Sequence, residues 1–196
     1  MKKDKWLELC IGRRGKSSIP RACARLMVLW GVGFAWACGS SQSNKATLRV
    51  GEVAPEIMLQ NQDGRLRTLS EHRGKPVVLY FYPKDATPGC TKEACAFRDA
   101  WERIQAQGAV VYGISTDDVD SHRRFHSEHR LPFDLLADRE GKACRDYGVP
   151  LFMGLASRMT FIVDSEGRIA RVFPEVDPAV HADQVVEALE ELKKSK

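Results

Sequence analysis

Three nearly unbroken apolar runs, at 76–82, 109–115 and Met159–Val163, constrain this chain more than any other feature. In the first, Val77, Val78, Leu79, Tyr80 and Phe81 follow one another with no charged or amide residue between them. A strand that shows one face to water alternates apolar and polar residues, so an unbroken run demands cover on both faces. Between the runs the periodicity changes to that of helices. Phe97, Trp101 and Ile104 fall at i, i+4 and i+7, which predicts a helix over 91–107 that Gly108 ends. Further helices are predicted over 119–129, 140–147 and 179–193.

Shorter strands are expected at 56–60 and 66–69, on either side of an Asn61-Gln-Asp-Gly64 turn. The Asp164-Ser-Glu-Gly167 turn joins the third apolar run to a strand over 168–173. Strands that alternate with helices, then a hairpin and a last helix, describe an α/β domain. The expected architecture is a thioredoxin-like three-layer sandwich with a mixed central sheet, spanning 46–196.

Residues 1–45 read differently. A basic stretch leads into a twelve-residue apolar segment, Leu26 to Ala37, and then into Cys38-Gly-Ser-Ser-Gln-Ser-Asn-Lys45. Twelve residues make a helix of about 18 Å, well short of the ~30 Å hydrocarbon core of a bilayer. The order of basic, apolar and small residues is that of an export signal. With Cys38 directly after Ala37, it resembles a bacterial lipoprotein signal, in which Cys38 would be acylated and the Ser-rich tether would hold the domain at the membrane. An uncleaved anchor, or an upstream stretch that is not translated, are the alternatives.

The charge of the chain divides along the same line. Residues 1–37 hold eight basic and two acidic side chains, +6, so a whole-chain charge of +4 leaves −2 for the remainder. A mildly acidic domain removes the main support for a nucleic-acid partner. Six cysteines, at 10, 23, 38, 90, 95 and 144, are too few and too scattered for a disulfide scaffold, and they form no Cys-x-x-Cys zinc ribbon.

Chemistry concentrates in Tyr80-Phe-Tyr-Pro-Lys-Asp-Ala-Thr-Pro-Gly-Cys-Thr-Lys-Glu-Ala-Cys-Ala-Phe-Arg-Asp99. A buried strand runs into a Pro/Gly-rich turn, and Cys90 comes at or just before the start of a helix. Open N–H groups and the helix dipole favour an anion there. An ordinary thiol is only about 3% ionised at pH 7, and making it mostly thiolate takes ~3–4 kcal/mol. The helix terminus supplies roughly 0.3–2 kcal/mol of that, so a nearby cation is required. The competing reading of Cys90 is a small buried hydrophobe.

Cys95 lies five residues on. In an intact helix the two Cα atoms stand about 8.7 Å apart, whereas a disulfide needs less than ~7 Å. The pair cannot bridge until the helix opens, which suits a switch better than a static cross-link. Plain helix packing is the alternative for Cys95.

The motif Pro83-x-x-x-Thr87-x-x-Cys90 resembles the active-site pattern of the peroxiredoxins. Thr-Pro-Gly-Cys-Thr-Lys-Glu-Ala-Cys is most similar to the peroxiredoxin Q, or bacterioferritin comigratory protein, subfamily. The resemblance runs from about residue 50 to 192. It implies a hydroperoxide substrate, a thioredoxin-type reductant, no cofactor, no metal and a monomer. Cys90 would be the nucleophile and Cys95 its resolving partner. Thr87 would hold peroxide and thiolate, Pro83 would shape and shield the turn, and Arg158, in Ser157-Arg158-Met159, would supply the cation.

A thioredoxin-like disulfide reductase is the rival enzyme, but it would carry Cys-x-x-Cys and a Pro facing the pair, and 156–161 contains no Pro. A copper-delivery protein is the rival of another class. It would need a placed histidine, and His122, His126 and His129 share one helical face at i, i+4 and i+7. The neighbouring Arg123, Arg124 and Arg130 argue against a cation, and that face is expected to be solvated. Cys144 is expected to be a packed helix residue, and His181 to serve the start of the last helix.

Overall fold

The structure is a computed structural model and describes residues 48–194; the leader, Cys10, Cys23 and Cys38 lie outside them. A seven-stranded sheet forms the middle layer, in the order β2-β1-β5-β4-β3-β8-β9. Its strands are β1 (Met58–Asn61), β2 (Leu66–Thr68), β3 (Val77–Phe81), β4 (Val110–Ser115), β5 (Asp134–Ala137), β8 (Met159–Val163) and β9 (Ile169–Phe173). Strands β3, β4 and β5 are parallel, and the remaining pairings are antiparallel, so the sheet is mixed. The helices are α1 (Pro88–Asp99), α2 (Trp101–Ala106), α3 (Val119–His129), α4 (Lys142–Tyr147) and α5 (His181–Lys194).

β3 explains the three layers. All five of its residues are buried, and successive side chains point to opposite faces. Val78 and Tyr80 join Phe97 of α1, Ile104 of α2, Phe125 of α3 and Val185 and Leu189 of α5 in one core. Val77, Leu79 and Phe81 join Ala143, Cys144 and Tyr147 of α4 in the other. Tyr80 stacks on Phe97 with ring centroids 4.8 Å apart. It also lies so close over β4 that a Cβ on Gly113 would come within 2.6 Å of its ring. Glycine is therefore required at position 113 for packing.

The helix predicted over 91–107 is two helices. The backbone at Ala100 (φ −88°, ψ 3°) separates α1 from α2, and the run ends at Gly108 in a left-handed conformation (φ +71°). The start also moves, to Pro88, which makes Cys90 the third residue of α1. Two elements carry no legible sequence signal. β5 is four residues long, and the hairpin of β6 (Leu151–Phe152) and β7 (Leu155–Ala156) has strands of two. Among the described residues no helix is long and apolar enough to cross a membrane.

Candidate active site

The carboxyl end of β3 sets the position of the site. Strand β8 runs antiparallel beside it, with Phe81 opposite Met159. One residue further, the chain leaving β3 at Tyr82 comes beside Arg158. The register of two apolar strands thus brings together residues 68 positions apart. The Arg158 guanidinium donates through Nη2 to Cys90 Sγ at 3.1 Å, and Cys90 is only 2% exposed.

Cys90 sits in the first turn of α1. Thr87 is the N-cap residue and Pro88 the first helical residue, where its missing N–H costs nothing. The Thr87 hydroxyl does not cap the helix; it donates to the Lys84 carbonyl at 3.0 Å. The oxygen keeps its acceptor lone pairs, and the first-turn N–H groups receive no bond from it. Pro83 lies half-buried in the same turn, between Tyr82 and Lys84. Cys95 is partly buried later in α1, and Cys90, Cys95 and Cys144 are all free thiols. With α1 continuous across both positions, the Cys90–Cys95 pair is in its unbridged form.

Glu93 is a site residue that the sequence reading missed. One turn after Cys90, its side chain is buried and accepts a hydrogen bond from Arg158 Nη1 through Oε2. Burial pushes the Glu93 carboxyl up to about 7, against the opposing pull of Arg158. Its other oxygen, Oε1, has no hydrogen-bond partner. Arg158 is therefore shared between a carboxyl group and a sulfur, and both sit on the same turn of α1. Gly89 is the second missed residue. A Cβ there would stand 2.9 Å from Arg158 Nη2 and displace the guanidinium from the sulfur. The only local signal for either was position: glycine inside a first turn, and a carboxylate at i+3 from the cysteine.

A buried polar network holds the turn before α1. Asp85 accepts from Tyr82 Oη at 2.7 Å and from Ser121 Oγ at 2.8 Å, and its Oδ2 lies 2.9 Å from His122 Nδ1. Its backbone N–H donates to Asp117 Oδ2 at 2.9 Å. Burial alone would raise the Asp85 carboxyl, but the bonds and charge of His122, with those of Tyr82 and Ser121, hold it below the usual range. An ionised carboxylate only accepts, so His122 Nδ1 carries the proton in this pair. These bonds pin the chain just before Ala86, a non-glycine residue at φ +55°, a conformation that costs about 1–2 kcal/mol.

His122 is thus not on a solvated face, as the arginine-rich sequence suggested. It is fully buried beside Phe125 on the inner face of α3, and the exposed positions of that helix go to Arg123 and Arg124. No group of three or more metal-binding side chains is assembled among the described residues. His181, the first residue of α5, is buried and reaches Thr160 Oγ1 at 2.8 Å, and burial lowers its imidazole to about 4.

The AhpC/TSA family profile matches residues 50–172, well over half the chain and the whole site. The chain belongs to the AhpC/TSA family. Within this family it groups with the peroxiredoxin Q and bcp proteins. It is 44% identical over 160 residues to a chloroplastic peroxiredoxin Q of Populus jackii, covering 78% of this chain and 75% of that one. It is 43% identical over 148 residues to a putative peroxiredoxin bcp of Coxiella burnetii, covering 71% of this chain and 97% of the relative.

Solved peroxiredoxin structures share the fold. Peroxidoxin BcpB of Mycobacterium tuberculosis superposes with a TM-score of 0.70 at 35% identity, over 74% of this chain and 98% of that one. The bacterioferritin comigratory protein of Xanthomonas campestris, described for its alkyl peroxide reduction activity, gives 0.66 at 32% identity, over 76% and 99%. The thioredoxin-like sandwich expected from the strand pattern is the fold of this peroxiredoxin.

Proposed function

We propose that this peroxiredoxin reduces hydroperoxides at the Cys90 sulfur and completes its cycle through Cys95. Thiol-dependent peroxidase activity follows from its place among the peroxiredoxin Q and bcp proteins. The assignment of Cys90 is carried by one observation, the Arg158 guanidinium 3.1 Å from its sulfur at a helix start. A fixed cation there favours negative charge on the sulfur.

In the first step the thiolate attacks the nearer peroxide oxygen. A S–O bond forms, the O–O bond breaks, and the departing alkoxide or hydroxide takes a proton to leave as alcohol or water. Cys90 becomes a sulfenic acid. Arg158 stabilises the charge passing from sulfur to the departing oxygen. Thr87, with its hydroxyl held by Lys84, offers lone pairs to a peroxide proton. In the second step the Cys95 thiolate attacks the Cys90 sulfur. The S–S bond forms, the S–O bond breaks, and hydroxide leaves and is protonated to water. A thioredoxin-type dithiol then reduces the disulfide. Hydrogen peroxide and organic hydroperoxides are both substrates in this reading, the latter in keeping with the alkyl peroxide activity of the Xanthomonas relative.

Stoichiometric peroxide tests the scheme. One equivalent is expected to yield the Cys90–Cys95 disulfide with partial loss of helix signal, and Cys95→Ser to trap a sulfenic acid at Cys90. A Cys95→Ser protein that still closed an intramolecular disulfide would remove Cys95 from the cycle.

The leader supports a membrane-tethered enzyme, exported as a lipoprotein through acylation of Cys38, and the likeness to the peroxiredoxin Q subfamily favours a monomer. Radiolabelled palmitate is expected in the wild type and not in Cys38→Ala; equal labelling of the two would end this reading.

A further inference from the structure

Asp85 is held from three sides at once. Tyr82, the residue after β3, donates its hydroxyl at 2.7 Å, and Ser121 and His122, near the start of α3, donate at 2.8 and 2.9 Å. Asp117, just beyond β4, accepts the Asp85 backbone N–H at 2.9 Å and is itself bound by Ser115 Oγ at 2.8 Å. The histidine is the expensive member of this group. It is fully buried, yet its Nε2 has no hydrogen-bond partner, and the approach of Tyr82 Oη to Nδ1 at 3.5 Å is at the limit of such a bond. Burying a polar nitrogen unpaired costs free energy that a leucine of similar size would avoid. Packing therefore does not account for an imidazole at this position. Its one good hydrogen bond secures the Asp85 carboxylate, and through it the turn that leads to Cys90.

We propose that Asp85 and His122 are positioning residues of the peroxide-reducing step, their hydrogen bond clamping the turn before α1 so that Thr87 and Cys90 meet the hydroperoxide together. The proposal rests on the reading of Cys90 as the nucleophile. Immediately after the clamp comes Ala86 at φ +55°, a conformation that a non-glycine residue keeps only when its surroundings hold it there. Thr87 follows. Its hydroxyl donates to the Lys84 carbonyl at 3.0 Å, and its carbonyl accepts the Thr91 N–H at 2.9 Å in the helical bond that spans Cys90. Neither Asp85 nor His122 touches the peroxide; both act through the placement of Thr87 and the first turn of α1. The clamp ends at Asp85, so α1 can open beyond it. Closing the disulfide needs that opening and does not need Thr87 in line. Loss of the clamp therefore penalises the first half-reaction and spares the second.

Single-turnover kinetics of the full chain separate the two steps. His122→Leu fills the space and removes the donor to Asp85. Its sulfenic acid formation is expected to slow about tenfold or more, in the range that follows small misplacements of reacting groups. Closure of the Cys90–Cys95 disulfide should proceed at the wild-type rate. His122→Asn keeps an N–H donor near the place of Nδ1 and should recover most of the lost rate. Ser121→Ala removes a second donor to Asp85 at a half-buried position and should slow the same step about threefold, the scale of one ordinary hydrogen bond. It carries the test if His122→Leu does not fold.

Sulfenic acid formation at the wild-type rate in His122→Leu, or in Ser121→Ala where the first variant does not fold, overturns the proposal. Equal slowing of both steps also overturns it, because that pattern marks general damage to the fold. A His122→Asn protein as slow as His122→Leu would overturn it too, since the hydrogen bond to Asp85 would then not be what the histidine contributes. Each of these results leaves Cys90 as the nucleophile. Only a wild-type protein that forms no sulfenic acid at Cys90 removes that reading.

Discussion

Cys90 and Cys144 occupy the same place in two helices, the third residue of α1 and of α4, and both are buried. Their surroundings carry opposite charge. Beside Cys90 stands the Arg158 guanidinium. At Cys144 stands the Asp138 carboxylate, which accepts the backbone N–H of Ala143 at 3.1 Å and of Cys144 at 2.9 Å. Burial pushes the Cys144 thiol far up, and the Asp138 charge adds to it. A helix start favours an anion only while its N–H groups are free. In α4 a carboxylate has taken them, and it repels a second negative charge. The sign of the neighbour, more than the helix terminus, distinguishes the surroundings of the two sulfurs.

The largest expected effect breaks the pair outright. Cys90→Ser should lower peroxidase turnover by about 10³-fold or more, as loss of a nucleophile does. Cys144→Ser should stay within about twofold of wild type in the same coupled assay, since its hydroxyl still fits a small site and takes no part in the cycle. Comparable losses in the two would mean that Cys144 shares the chemistry.

Removing the cation comes next. Arg158→Met should slow sulfenic acid formation by about 10²-fold, the range found when one preorganised donor to developing charge is lost. The rate of disulfide closure from the sulfenic acid should change far less. On the α4 side, Asp138→Ala should leave peroxide reduction intact and reduce stability by about 1–2 kcal/mol, because it uncovers two first-turn N–H groups. Denaturant unfolding would measure this loss.

Glu93 sharpens the comparison through pH. Its folded value of about 7 is above the ordinary 4.5, so the folded state holds its proton more tightly than the unfolded chain. The associated stability is fully present below about pH 4.5 and is lost as pH rises through about 7. Glu93→Gln should remove this slope. The stability difference between variant and wild type should grow from pH 5 to pH 8 by an amount on the order of 1–3 kcal/mol. A constant difference across that interval would show that Glu93 ionises as an ordinary carboxylate.

Legibility followed burial. β3, β4 and β8 could be read because a strand covered on both faces has no polar alternation to confuse with anything else, and the amphipathic α3 and α5 appeared within two residues of their expected ends. β5 escaped because Leu135 and Leu136 are too short a signal, although both are fully buried. The inner face of α3 was misjudged because His122 is surrounded in sequence by arginines that in space point elsewhere. Its burial depends on Asp85, a partner 37 positions away.

The order of residues alone determined a covered mixed sheet, a cysteine at a helix start and a second cysteine too far along that helix to bridge it. These are local matters of periodicity, capping and helical rise. Tertiary structure decided which charge meets each sulfur. Arg158 reaches Cys90 through the register of β8 on β3, Glu93 is buried against it by the packing of α1, and Asp138 closes the start of α4. Electrostatic energy depends on separation in space and on the water excluded around it, and neither is a property of neighbours along the chain.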